Sequence, residues 1–189
     1  MTPSERKDAT RNRLRLVEAA AEVFRRDGTA AALDEIAGTA GVANATLYRH
    51  FPTRERLLAA VYAQTIDAMC ADAHARIESG ADDGLLAWLG VVVSHMQANR
   101  GLREALATAN ALNPGDTPDE IREWHDRIAV TAKPLFTRAR ARGVIRASAR
   151  WADILALVAA VGNAAGSDRA AGRRMLDIVV DGLRPDTVE

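Results

Sequence analysis

Two short apolar runs hinged on a single glycine limit this chain more than any other feature. From Ile36 to Phe51 the order is Ile-Ala-Gly-Thr-Ala-Gly-Val-Ala-Asn-Ala-Thr-Leu-Tyr-Arg-His-Phe. Ile36, Ala37 and Ala40 recur at helical spacing, and Gly41 ends that run because glycine accepts the left-handed conformation at a helix end. Val42 plugs the turn, and Ala45 to Phe51 forms a second short helix. Leu47 and Phe51 lie four residues apart and face inward, leaving Thr46, Tyr48, Arg49 and His50 outward. The expected unit is a helix-turn-helix.

Outward polar and aromatic donors on a short helix beside a tight turn suit a major groove, where they reach phosphates and base edges. The order of residues narrows this further. Ile36-Ala37, Ala40-Gly41-Val42, Thr46-Leu47-Tyr48, His50-Phe51 and the basic Arg54 resemble the signature of the tetracycline-repressor (TetR) family of bacterial transcription regulators. The resemblance covers about the first third of the chain; the rest is similar only in length and helical layout. It implies an all-α fold of about nine helices. An N-terminal three-helix helix-turn-helix head, residues 10–57 with its motif at about 32–51, would join through a long helix 4 to a C-terminal ligand-binding and dimerisation domain, residues 58–186.

In such a protein helix 3 reads the groove, which implicates Asn44, Ala45, Thr46, Tyr48, Arg49, His50 and Arg54 in DNA binding. Asn44 offers donor and acceptor together, the match for adenine, or it caps helix 3. The family usually places a serine cap one position earlier, where this chain has Ala43. Tyr48 and His50 match phosphate-contacting positions. Arg49 either reads guanine bidentately or neutralises a phosphate, and Arg54 is placed for a phosphate. Helix 2 departs from the pattern: Ala30-Ala31-Ala32 precede Leu33-Asp34-Glu35, so the usual hydroxyl cap and its phosphate contact are missing.

Composition fits this reading. The 189 residues suffice for one large or two small domains with real cores, and 48% are hydrophobic with few aromatics. Net charge is zero, so any basic surface is local. Arg6, Lys7, Arg11, Arg13 and Arg15 against Glu5 and Asp8 give the first fifteen residues a net +3. The single Cys70 rules out an intramolecular disulfide and suits a reducing cytoplasm. The start is charged rather than apolar, unlike a signal peptide. The uncharged run Ile154 to Ser167 has 14 residues, fewer than the about 20 that span a bilayer. A cytoplasmic protein without a membrane partner is expected.

Helix 1 is expected from about Thr10 to Asp27, with Leu14, Val17, Ala21 and Phe24 as its buried stripe. Thr53 should cap a helix 4 that reaches about Ser79, a rod of roughly 39 Å at about 1.5 Å per residue. Asp82 or Asp83 should cap helix 5, and Gly101 should separate it from helix 6. Asn113-Pro114-Gly115-Asp116 reads as a loop, followed by the capping box Thr117-Pro118-Asp119-Glu120. Helix 7 should stop at Gly143, and Ser167 should cap helix 9. Helix 8 carries Ile154, Leu155, Leu157, Val158 and Val161 pointing several ways, which calls for burial on more than one side. The family resemblance implies that helices 8 and 9 pair with a second copy to form a homodimer.

The same resemblance places the ligand cavity in the core of the larger domain, where Met69, Leu89, Val93, His95, Met96, Trp124 and Ile128 would line it. Such walls favour a mostly apolar small molecule with one or two polar handles. Cys70 and His74 share a helix face, but without a second pair no metal site is expected. His95, His125 and the acidic residues show no catalytic spacing, and there is no glycine-rich phosphate loop, so neither an enzyme nor a cofactor is expected. Arg138, Arg140, Arg142 and Arg146 read as a solvated helix face. The favoured function is a dimeric repressor on a palindromic operator, released by a small ligand. The alternative is a helical sensor or carrier of the same fold with little DNA affinity.

Overall fold

The computed structural model describes residues 3–112 and 120–185, and among these the regular elements are nine α-helices. In chain order they are α1 (Pro3–Asp27), α2 (Leu33–Ala40), α3 (Asn44–His50), α4 (Arg54–Ser79), α5 (Gly84–Ala98), α6 (Arg100–Leu112), α7 (Glu120–Ala141), α8 (Trp151–Ala164) and α9 (Arg169–Leu183). The expected loop at Asn113–Asp116 and the residues Thr117–Asp119 of the capping box lie outside the described residues. No described helix is long and apolar enough to cross a membrane. Contacts gather the described residues into two units, one up to residue 64 with 101–112, the other 65–100 with 120–185. The division falls within α4.

In the first unit, α1 starts at Pro3 rather than near Thr10. Proline suits a first helical turn, where the missing N–H has no partner to lose. Thr10 sits mid-helix, and its hydroxyl donates to Arg6 O at 2.9 Å. The buried stripe comprises Leu16, Val17, Ala20, Val23 and Phe24. Leu14, expected inside, is 52% exposed. Both phases satisfy helical periodicity; packing against α2 selects the one centred on Leu16 and Ala20.

In the second unit, α5 contacts α7, α8 and α9. Its Leu85, Trp88, Leu89, Val92 and Val93 are buried. The Trp88 indole donates to Met69 O at 3.1 Å, and its ring lies 6.2 Å from that of Trp151. Trp151 in turn stacks 5.6 Å from Phe136 and donates to Ala129 O at 3.0 Å. Gly162 of α8 permits a close approach in this core. A Cβ there would lie 2.9 Å from Met96 Cβ, so the glycine serves packing on α5 within the chain. Val158 and Val161 are buried in this same core.

Two terminus assignments shift. Asn99, not Gly101, closes α5, with both its amide groups donating to His95 O; Gly101 lies in the first turn of α6. Asp168, not Ser167, caps α9, its carboxylate accepting from the Ala170 and Ala171 amides at 2.9 Å each. That hold keeps the Asp168 pKa below the ordinary carboxylate value. Asp83 takes the cap position of α5 but makes no side-chain cap bond. The arginine run after Phe136 is not simply solvated. Arg138 donates to Ile77 O at 2.8 Å, and Arg142 reaches Gly80 O at 3.1 Å and pairs with Asp82. These cations satisfy carbonyls at and just beyond the α4 C-terminus.

Candidate nucleic-acid interface

Gly41 builds the turn. At φ 64° and ψ 39° it is left-handed; its N–H donates to Gly38 O and the Val42 N–H to Ala37 O, both at 3.0 Å. This paired reversal satisfies the last carbonyls of α2 and sends the chain straight into α3. A side chain at 41 would be strained by that φ whatever the surrounding space. Ala43 occupies the cap position of α3 without a side-chain bond. Asn44 is therefore the first helical residue and not the cap. Its amide stands exposed beside Ala45, which removes the capping reading.

Leu47 and Phe51 anchor the helix, at 1% and 2% exposure, and the Arg13 guanidinium covers the Phe51 ring at 5.3 Å. Opposite them, Asn44, Ala45, Tyr48 and Arg49 face outward, with Tyr48 48% exposed. Thr46 and His50 are half-buried. The His50 Nε2 is buried without a hydrogen-bond partner among the described residues. Burial lowers its pKa, helped by the charges of Arg49 and Arg13, so the ring tends to stay neutral. Nε2 is thus turned inward and the two neighbouring guanidinia carry the charge of this corner.

Arg54 is only half-exposed, and its Nη1 donates to Thr29 O at 3.0 Å and Ala31 O at 2.6 Å. It holds the segment entering α2 at the place where Ala32 supplies no side-chain cap. The missing hydroxyl and the cation are both visible in the sequence, but carbonyl partners 23 and 25 residues away leave no local signal that joins them. Arg54→Ala should lower the stability of the DNA-free protein by about 1–3 kcal/mol, the usual worth of hydrogen bonds to a charged group. Urea unfolding without DNA checks this; an unchanged midpoint would leave Arg54 no structural role. Thr53 behaves as expected, accepting the Arg56 N–H at 3.3 Å.

The residues assigned to a ligand all belong to the second unit. Met69 of α4, Leu89 and Val93 of α5, and Trp124 and Ile128 of α7 are buried. Met96 is half-buried against Gly162. His95 is half-buried, and desolvation lowers its pKa against the opposing pull of Asp72. Cys70 is half-buried and His74 exposed; among the described residues no three His, Cys, Asp or Glu side chains gather as a metal site.

With this geometry in view, the comparisons agree with one another. The family model for bacterial regulatory proteins of the tetR family matches residues 16–61. That for the C-terminal domain of SbtR-like transcriptional regulators matches residues 80–185. No curated protein matches the sequence. Among solved structures, a TetR transcriptional regulator from Streptomyces coelicolor is 32% identical, with 93% of this chain and 99% of that one covered and a TM-score of 0.75. A TetR transcription regulatory protein from Mycobacterium vanbaalenii is 29% identical, covering 95% and 98%, with a TM-score of 0.70. A ketosteroid transcriptional regulator of Mycobacterium tuberculosis, 19% identical over 91% and 94% with a TM-score of 0.60, shares the fold alone. The turn at Gly41, the outward face of α3 and these matches together place the chain in the TetR family of DNA-binding transcription regulators.

Proposed function

We propose that the protein is a repressor that binds a palindromic operator as a homodimer and leaves it when a small, mostly apolar ligand binds. The observation that carries this is α3, with its inner face locked by Leu47 and Phe51 and its outer face presenting Asn44, Tyr48 and Arg49. Such a helix can lay exposed donors against phosphates and base edges while its backbone stays fixed. Exposed apolar side chains support the dimer through α8 and α9. Leu157 is 49% exposed, Ile178 72%, and Met175 lies beside Ile178 on α9. A dimer sets two reading helices at a fixed separation and so demands a two-fold operator.

The buried group of Met69, Leu89, Val93, Trp124 and Ile128, with His95 and Met96 at its margin, supports an apolar effector with few polar handles. Helix α4 contributes residues to both units, so displacing it is the simplest route from effector to reading head. Release requires that the effector bind the DNA-free state more tightly.

The test is binding to palindromic duplexes from the DNA beside the gene, measured across a range of salt. Tyr48→Ala should weaken all sequences alike, whereas Arg49→Ala should relax preference at particular base pairs, by about 1–3 kcal/mol each. Unchanged affinity in both variants would remove α3 from the interface. The uncapped start of α2 at Ala32 favours one other reading, a sensor of the same fold with little DNA affinity. Absence of salt-dependent binding to any palindrome would select it.

A further inference from the structure

A pocket of about 410 Å³ opens between α5 and α9, away from the residues assigned to the apolar effector except for Val93 and His95 at its edge. Buried Val93 and Leu176 form its apolar side. Gln97, only 8% exposed, forms its polar side and is held in place by donating from Nε2 to Asp168 O at 2.8 Å. Gly172 makes room for this amide: a Cβ there would lie 2.7 Å from Gln97 Nε2 and 2.8 Å from Oε1. Arg169 and Arg173, one turn apart on α9, line the same opening. Among the described residues neither guanidinium meets a carboxylate. The adjacent Asp168 carboxylate is bound to the Ala170 and Ala171 amides. Two like charges thus line one partly apolar cavity, an arrangement that favours an anion between them.

We propose that this pocket binds a small amphipathic carboxylate, its head between Arg169 and Arg173 and its apolar body against Val93 and Leu176. A planar carboxylate matches guanidinium forks. A phosphate would draw in addition on the free amides of a helix start, and here Asp168 already occupies those of Ala170 and Ala171. The site shares Val93 and His95 with the apolar core group, but its polar side, Gln97, Arg169 and Arg173, is its own, and it does not rest on operator binding. A bound carboxylate would tie α5 to α9 and raise the melting temperature of the DNA-free protein.

Calorimetric titration of the full chain at low ionic strength, with hexanoate as probe, tests this. Saturable binding is expected, weakened about tenfold by Arg169→Gln and again by Arg173→Gln, as for loss of one charged hydrogen-bonding partner each. Both side chains are exposed, so the variants should fold, which circular dichroism verifies. Hexanol should bind far more weakly than hexanoate, and so should inorganic phosphate. No saturable hexanoate binding, unaltered binding in the double variant, or equal binding of hexanol or phosphate would overturn the proposal.

Discussion

Trp88→Ala should remove about 3–5 kcal/mol of stability, the range for deleting a large aromatic from a packed interior. Against a total of about 5–15 kcal/mol, that is enough to leave a marginal protein substantially unfolded. The size follows from what the side chain touches. Trp88 is fully buried, its indole donates to Met69 O, and its ring sits beside Trp151, which also stacks on Phe136. Truncation therefore opens a void where α5 meets its neighbours and leaves Trp151 with one aromatic partner fewer. Trp88→Phe should cost much less, because most of the ring volume stays and the lost hydrogen bond is worth about 1 kcal/mol. Urea unfolding followed by circular dichroism separates the two. Equal midpoints for the alanine and phenylalanine variants would mean that ring volume is not what stabilises this core.

Ile178→Asp, alone or with Leu157→Asp, should abolish the dimer and with it specific operator binding. Both side chains are exposed in the single chain, so a carboxylate there stays hydrated in the monomer and the fold should survive. Closing two copies over α8 and α9 would instead strip water from an unpaired charge on each copy, at several kcal/mol apiece. Operator affinity should then fall about 10³-fold or more, towards the non-specific level, because one head alone cannot select a two-fold site. The choice of positions matters. Val158 and Val161 belong to the uncharged stretch of α8, yet both are buried in the chain's own core; aspartate there would unfold the protein and say nothing of the dimer. Sedimentation at micromolar concentration reads the outcome, and a wild-type chain that sediments as a monomer would end the argument.

The sequence revealed most where structure depends on local chemistry. The left-handed Gly41, the inward pair Leu47 and Phe51, and the Thr53 cap all rest on neighbours within four residues. It misled where two local solutions are nearly equal. A stripe through Leu14 and one through Leu16 are both helical, and only the approach of α2 chooses between them. Ser167 and Asp168 are both good caps, and the extended backbone at Asp168 decides. It was silent where partners lie far apart along the chain. The arginine run from Arg138 reads as wet because its carbonyl acceptors, near residue 77, are about 60 positions away. Arg54 reads as a phosphate ligand for the same reason, and the Arg169–Arg173 pair carries no local signal because its neighbour Gln97 lies on α5.

The placement of the aromatic residues gives the protein two colours of intrinsic light. All three tryptophans, Trp88, Trp124 and Trp151, lie in the second unit, while both tyrosines, Tyr48 and Tyr62, lie in the first. Tryptophan emission excited at the red edge, where tyrosine does not absorb, is therefore blind to the head. Tyrosine absorbance arises from the first unit alone, one ring on α3 and the other in the buried part of α4. Whether the two units melt together can be read on the unlabelled chain by comparing tryptophan emission with the tyrosine component of second-derivative absorbance, since coincident curves are the signature of a single cooperative transition.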